Sequence, residues 1–255
     1  MSEEVRTPIS QAMSEGALTR RELKQLMTRS NTPAFIRLII WVCLLSFSSF
    51  LIWLSINTWW LVPSMFLQGV ILVHHFSLQH ECCHYTAFKT RKLNDIFGYI
   101  CGFSIMLPNQ HFRYEHCDHH TYTQLKGKDP ELIELPISVN KYLWYISAFP
   151  YWKNKFSEIF RHLRGQFSEE ELRFIPQQEK KTILREARIM VFLYILILSA
   201  CIFYNFWAPL WYWWLPVMLG EPVMRAIRLT EHVGRPNTDD LKENTRSSLV
   251  SLPMQ

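Results

Sequence analysis

Two stretches of this sequence contain no Lys, Arg, Asp or Glu: Leu38 to Phe76 and Ile189 to Gly220. Crossing the hydrocarbon of a bilayer takes about 20 apolar residues, so charge-free runs of roughly 30–40 residues each have room for two passes. A helix of that length and polarity is hard to bury in a water-soluble core. The sequence therefore predicts an all-α integral membrane protein. Its four transmembrane helices, at about 35–54, 59–76, 187–206 and 210–224, form two hairpins.

Charged residues are only 19% of the chain and lie outside the apolar runs, where membrane-surface loops place them. The net charge of +5 is not arranged as a basic stripe interleaved with aromatics, so nucleic acid is set aside as a partner. The cysteines do not form a disulfide framework. Cys43 and Cys201 lie inside apolar runs, and Cys82 and Cys83 are adjacent, a pattern that suits a reducing compartment.

Residues 1–34 form a polar lead with no short apolar core of a signal peptide. The remainder, 35–255, reads as one membrane domain. The turn at 55–58 carries no positive charge, the lead carries five Lys or Arg, and Ser77 to Glu186 carries fifteen. The positive-inside rule then puts both polar segments, and both termini, on the cytoplasmic side of a multi-pass protein. Trp59, Trp60, Trp207, Trp211, Trp213 and Trp214 mark the opposite interface. The moderately apolar stretch 95–108 is too short to span and is expected to be re-entrant or interfacial. Ser168 followed by Glu171 reads as a helix start.

Half of the ten histidines fall in two short boxes, His80-Glu81-Cys82-Cys83-His84 and His116-Cys117-Asp118-His119-His120. Spacings of i, i+4 and i, i+3, i+4 put every ring of a box on one face of a helix. Imidazole is the commonest metal ligand, and it suits Zn, Cu, Fe and Ni. Glu81 and Asp118 stand where a carboxylate could orient a ligating ring. The first box also fits the HExxH pattern of a zinc peptidase literally, with Glu81 as general base. A single tetrahedral zinc leaves one histidine over; a two-metal site accounts for all five.

HxxxH followed after about 31 residues by HxxHH, on a four-helix membrane frame, resembles the membrane fatty acid desaturase and hydroxylase superfamily. Leu93-Asn94-Asp95, Asp129-Pro130-Glu131 and Glu231-His232-Val233-Gly234-Arg235-Pro236 add to the likeness, which covers roughly residues 35–250. The resemblance implies a cytoplasmic helical cap carrying the boxes around a di-iron centre. That centre would activate O2 and abstract hydrogen from a lipid acyl chain, giving a double bond or, in a hydroxylase, an alcohol. It carries ligand roles onto His80, His84, His116, His119 and His120, and onto His232 beyond the fourth helix. The chain has no CxxC pair, haem motif or Gly-rich dinucleotide loop, so electrons are expected from a separate ferredoxin, rubredoxin or cytochrome.

One element of the resemblance is missing. The family has a third box, another HxxHH, and no such motif follows His232 before Gln255. The simplest expectation is a C-terminal truncation, the other a catalytically incomplete relative. Either way, the polypeptide as given is expected to bind metal incompletely and to have little activity.

Overall fold

The computed structural model describes residues 13–133, 138–231, 234–235, 238 and 241–244. Among the described residues every regular element is helical. A short α1 (Arg20–Leu26), closed by a capping box between Thr19 and Glu22, precedes α2 (Thr32–Ser55). Then come α3 (Leu61–Val73), α4 (His75–Cys83), α5 (Arg91–Ser104) and α6 (Asn109–Tyr122). The polar middle of the chain forms α7 (Val139–Ile146), α8 (Phe149–Leu163) and α9 (Glu169–Phe174). It leads into α10 (Lys180–Phe203), a π-turn at Leu210–Trp214, α11 (Leu215–Thr230) and α12 (Leu241–Asn244). The Ser168–Glu171 signal is realised as the capping box that opens α9.

Among the described residues, three helical segments are long and apolar enough to cross a bilayer: Thr32–Ser55, Leu61–Cys83 (α3 and α4 together) and Lys180–Phe203. The fourth expected span, about 210–224, falls in the helical run Leu210–Thr230, which is not among them. It starts as a π-turn, contains Pro222, and carries Glu221, Arg225 and Arg228 on the helix. The helix also runs on to Thr230 rather than stopping near 224, because Arg225 pairs with Glu221 at 2.7 Å and Arg228 pairs with Glu131. Similarly, α10 starts at Lys180 rather than near 187. Hydropathy marks where a helix leaves lipid, not where its hydrogen bonds end.

Close backbone contact joins α3 to α11. A Cβ on Gly69 of α3 would lie 2.0 Å from the Pro216 carbonyl oxygen, and one on Gly220 of α11 would lie 2.3 Å from the Gly69 backbone. Only hydrogen atoms fit at that crossing, which lets the two helices touch. Below it, Leu72, Val73, Trp152, Val217 and Met224 form a buried cluster. In the apolar layer Gln68 acts as a polar rung: it bonds Ser48, Ser49 at 3.1 Å and the Tyr212 carbonyl at 3.1 Å. Groups without water must find partners in this way.

The stretch 95–108 is the body of α5 followed by a tight return, not a symmetric hairpin. Trp213 donates to the Ser104 carbonyl at 2.6 Å and Tyr194 to that of Phe103, so the last carbonyls of α5 are satisfied from α10 and the π-turn. The return brings α6 back alongside α4.

Candidate metal centre

Box one lies on the last turn of α4, with His84 as its C-cap, and box two lies on α6. The start of α6 is fixed from a distance. The Glu186 carboxylate of α10 accepts from the backbone N–H groups of Asn109 at 2.6 Å and Gln110 at 2.8 Å, two of the donors a helix leaves unpaired. Cys83, Ile105, Leu107 and Phe112 pack as a buried layer, and Phe112 stacks on the His116 ring.

Four rings converge. His80 and His116 have centroids 4.5 Å apart, His116 and His120 4.5 Å, His80 and His84 4.9 Å, and His84 and His120 4.9 Å. One nitrogen from each of the four lies within 4.8 Å of those from the other three. Nε2 of His116 and Nε2 of His120 are 3.0 Å apart. Burial, helped by the neighbouring rings, holds His84 down to about 4 and His120 to about 4, so both are neutral with lone pairs available at pH 7. Burial also lowers His116, against the pull of Glu131. Four imidazoles facing one point are a donor set that fits a single divalent transition metal.

Carboxylates behind the rings set their tautomers. Nδ1 of His116 meets Glu131 Oε1 at 3.0 Å, and Nδ1 of His119 meets Asp129 Oδ1 at 2.8 Å. An ionised carboxylate only accepts, so each Nδ1 carries a proton, and in the neutral ring of His116 the lone pair is then on Nε2. Burial penalises the Glu131 charge, but Arg228 and His116 hold its carboxyl well below the usual range. Burial lowers His119 too, yet the Asp129 bond and the Glu131 charge leave it raised overall.

His119 stands beside the four-ring cluster, its centroid 5.6 Å from His116 and 5.7 Å from His120. His232 lies outside the described residues. The Glu81 carboxylate lies 3.3 Å from Nδ1 of His80 and accepts from the Thr86 hydroxyl at 2.6 Å. Asp118 faces away from the rings and pairs with Arg173 at 2.7 Å. The acids that do touch box two are Asp129 and Glu131. In the sequence they stood out only as part of a likeness; an acidic pair in the short loop after a histidine box was the available signal.

A second polar cluster occupies another side of α6. His111, Glu158, His162 and Glu171 are all buried, with Glu115 and Lys155 beside them. Burial opposes charge on His111, but Glu158, Glu115 and Glu171 together raise it to about 9.

A sequence model of the fatty acid desaturase family matches residues 57–253, which include both boxes and all three carboxylates that touch them. An acyl-lipid (9+3)-(E)-desaturase of Dimorphotheca sinuata is 32% identical over 32% of this chain and 21% of its own length. An sn-1 oleoyl-lipid 12-desaturase of Anabaena variabilis is 25% identical over 39% of this chain and 33% of its own. An oleoyl-12-hydroxylase of Ricinus communis is 30% identical over 34% of this chain and 21% of its own. The matches thus span a fifth to a third of the length of these curated relatives.

Proposed function

We propose, from the premise that this chain belongs to the fatty acid desaturase family, that it is an O2-dependent desaturase of lipid acyl chains with a histidine-held pair of irons. The convergence of four imidazoles from two boxes is the observation that supports this most. When bound, iron supplies activation of O2 and removal of hydrogen from an unactivated C–H bond. The remaining tasks fall to the chain. His80, His84, His116 and His120 hold one metal; His119 and His232 are the proposed ligands left for a second. Arg228 and Glu131 keep Nε2 of His116 turned to the centre, Asp129 does the same for His119, and Glu81 orients His80.

A groove of about 790 Å³ runs from Arg29 and Arg37 past Trp41 and Phe76 to His80 and Glu81. Guanidinium groups at one end and apolar walls leading to the rings suit an acyl lipid whose polar head stays at the membrane surface. Removing two hydrogens from neighbouring carbons, with O2, two electrons and two protons, gives the alkene and two waters. The electrons come from a separate ferredoxin, rubredoxin or cytochrome acting at the polar face, on the cytoplasmic side in the proposed orientation. The HExxH peptidase reading of the first box finds no support in this family. A hydroxylase is the second reading, favoured by the Ricinus relative's name.

Mass spectrometry of lipids from cells expressing the chain with a redox donor tests the reading. Loss of two hydrogens from an acyl chain is the expected product, at low yield because His119 and His232 are the only ligands proposed for the second metal; gain of one oxygen would move the assignment to the hydroxylase. His84→Ala and His120→Ala are each expected to abolish the product and metal retention together. Product that persists in both variants would overturn the site.

A further inference from the structure

We propose that His111, His162 and Glu171 form a second, separate metal site of the zinc class, which clamps the helix carrying box two to the polar cap. His111 lies five positions before His116 on α6, about 140° around the helix, so it faces away from the four-ring centre. His162 comes from the end of α8 and Glu171 from α9.

The three side chains are sealed, at 1%, 0% and 4% exposure. Glu171 Oε1 lies 2.9 Å from Nε2 of His162 and 3.2 Å from Nε2 of His111, and the two ring centroids are 5.0 Å apart. One donor atom from each lies within 4.8 Å of the other two. Neither ring nitrogen of His111 is aligned for a hydrogen bond, although carboxylate oxygens stand close to both. Nε2 of His162 and Glu171 Oε1 share a hydrogen bond, and a cation held by all three side chains would take the place of its proton.

The surroundings match such a site. Nδ1 of His111 has Glu158 Oε1 at 3.4 Å and Glu115 Oε2 at 3.8 Å, while its Nε2 has Glu171 Oε1 at 3.2 Å. The other oxygen of Glu171 is held by the Ser168 N–H and by Arg161 at 3.2 Å, so Oε1 alone faces the rings. Three carboxylates, on Glu115, Glu158 and Glu171, face two cations, Lys155 and Arg161. Burial pushes Glu115 up to about 7, so with neutral imidazoles the pocket runs from balanced to one negative charge in excess, which leaves room for a cation. Two imidazoles and one carboxylate in a closed pocket are zinc ligands. The rival occupant is a proton on His111, which would make the cluster an ion-pair network only.

Zinc content of the full chain, purified in detergent after equilibration with zinc and removal of free ion, separates the two. A chain carrying His84→Ala and His120→Ala, which disable the four-ring centre, is expected to keep one zinc. Adding Glu171→Gln or His162→Gln, which preserve volume, is expected to lower that at least tenfold. No retained zinc in a variant whose helix content matches the parent overturns the proposal, as does retention that both glutamine variants leave unchanged. If the double alanine variant does not fold, the same glutamine substitutions in the otherwise unaltered chain should each remove one equivalent, and an unchanged total overturns the site.

Discussion

Glu131 shows how much one buried side chain does at this centre. Its carboxylate takes Arg228 from α11 and Nδ1 of His116 from α6, so it joins α11 to a ring of the four-histidine cluster. Glu131→Gln keeps the shape but can no longer only accept; its amide then competes for the wrong tautomer of His116. Metal affinity, read by titration of the purified chain, should fall about 10–100-fold, the range for lost partners of ligating histidines. Asp118→Asn is the informative comparison, because Asp118 sits inside the box yet bonds Arg173 and not a ring. It should change affinity far less than Glu131→Gln does, because no ring loses its carboxylate partner.

At the scale of elements, two contacts hold the helices that present the rings. Glu186→Ala removes the acceptor for the first two N–H groups of α6. A lost cap costs about 1–2 kcal/mol, and fraying should loosen box two, so melting temperature in micelles and metal affinity should drop together. Glu186→Gln retains one acceptor and should fall between. Gly69→Ala tests the α3–α11 crossing: its new Cβ meets the Pro216 carbonyl oxygen at 2.0 Å, backbone that cannot swing aside as a side chain would. Overpacking of this kind costs about 1–3 kcal/mol or more. A melting temperature equal to the parent's would mean that the two helices do not cross this closely in the membrane.

For the whole molecule, the proposed arrangement puts the turns near Asn57 and Asn205 on one side of the bilayer and the polar region with both boxes on the other. Single cysteines at Asn57 and Asn205, in a chain with its native cysteines replaced, should react with a membrane-impermeant maleimide only from outside the cell. A cysteine at Lys153 should react only after permeabilisation. Labelling of Asn205 from the opposite side to Asn57 would mean that Leu61–Cys83 or Lys180–Phe203 does not cross the bilayer.

Hydropathy and spacing were legible because they are local. Charge-free runs specify apolar helices wherever they pack, and i, i+4 histidines share a face in any helix. The fatty acid desaturase likeness rested on those two features, and it holds. The helix ends near 187 and 224 were not legible, since charged turns continue a helix when partners such as Glu131 and Glu221 wait in three dimensions. Nor was the company each ring keeps. Asp129, Glu131 and Arg228 reach the centre across sequence gaps that no periodicity bridges, and His111 and His162 read as unrelated single residues until α6, α8 and α9 were packed together. The sequence by itself determined the helical class, the apolar spans and the two boxes, because short-range chemistry decides those. Only the tertiary structure decided which four rings meet, which acids turn them, and where a second buried donor set lies, because those depend on distances between helices.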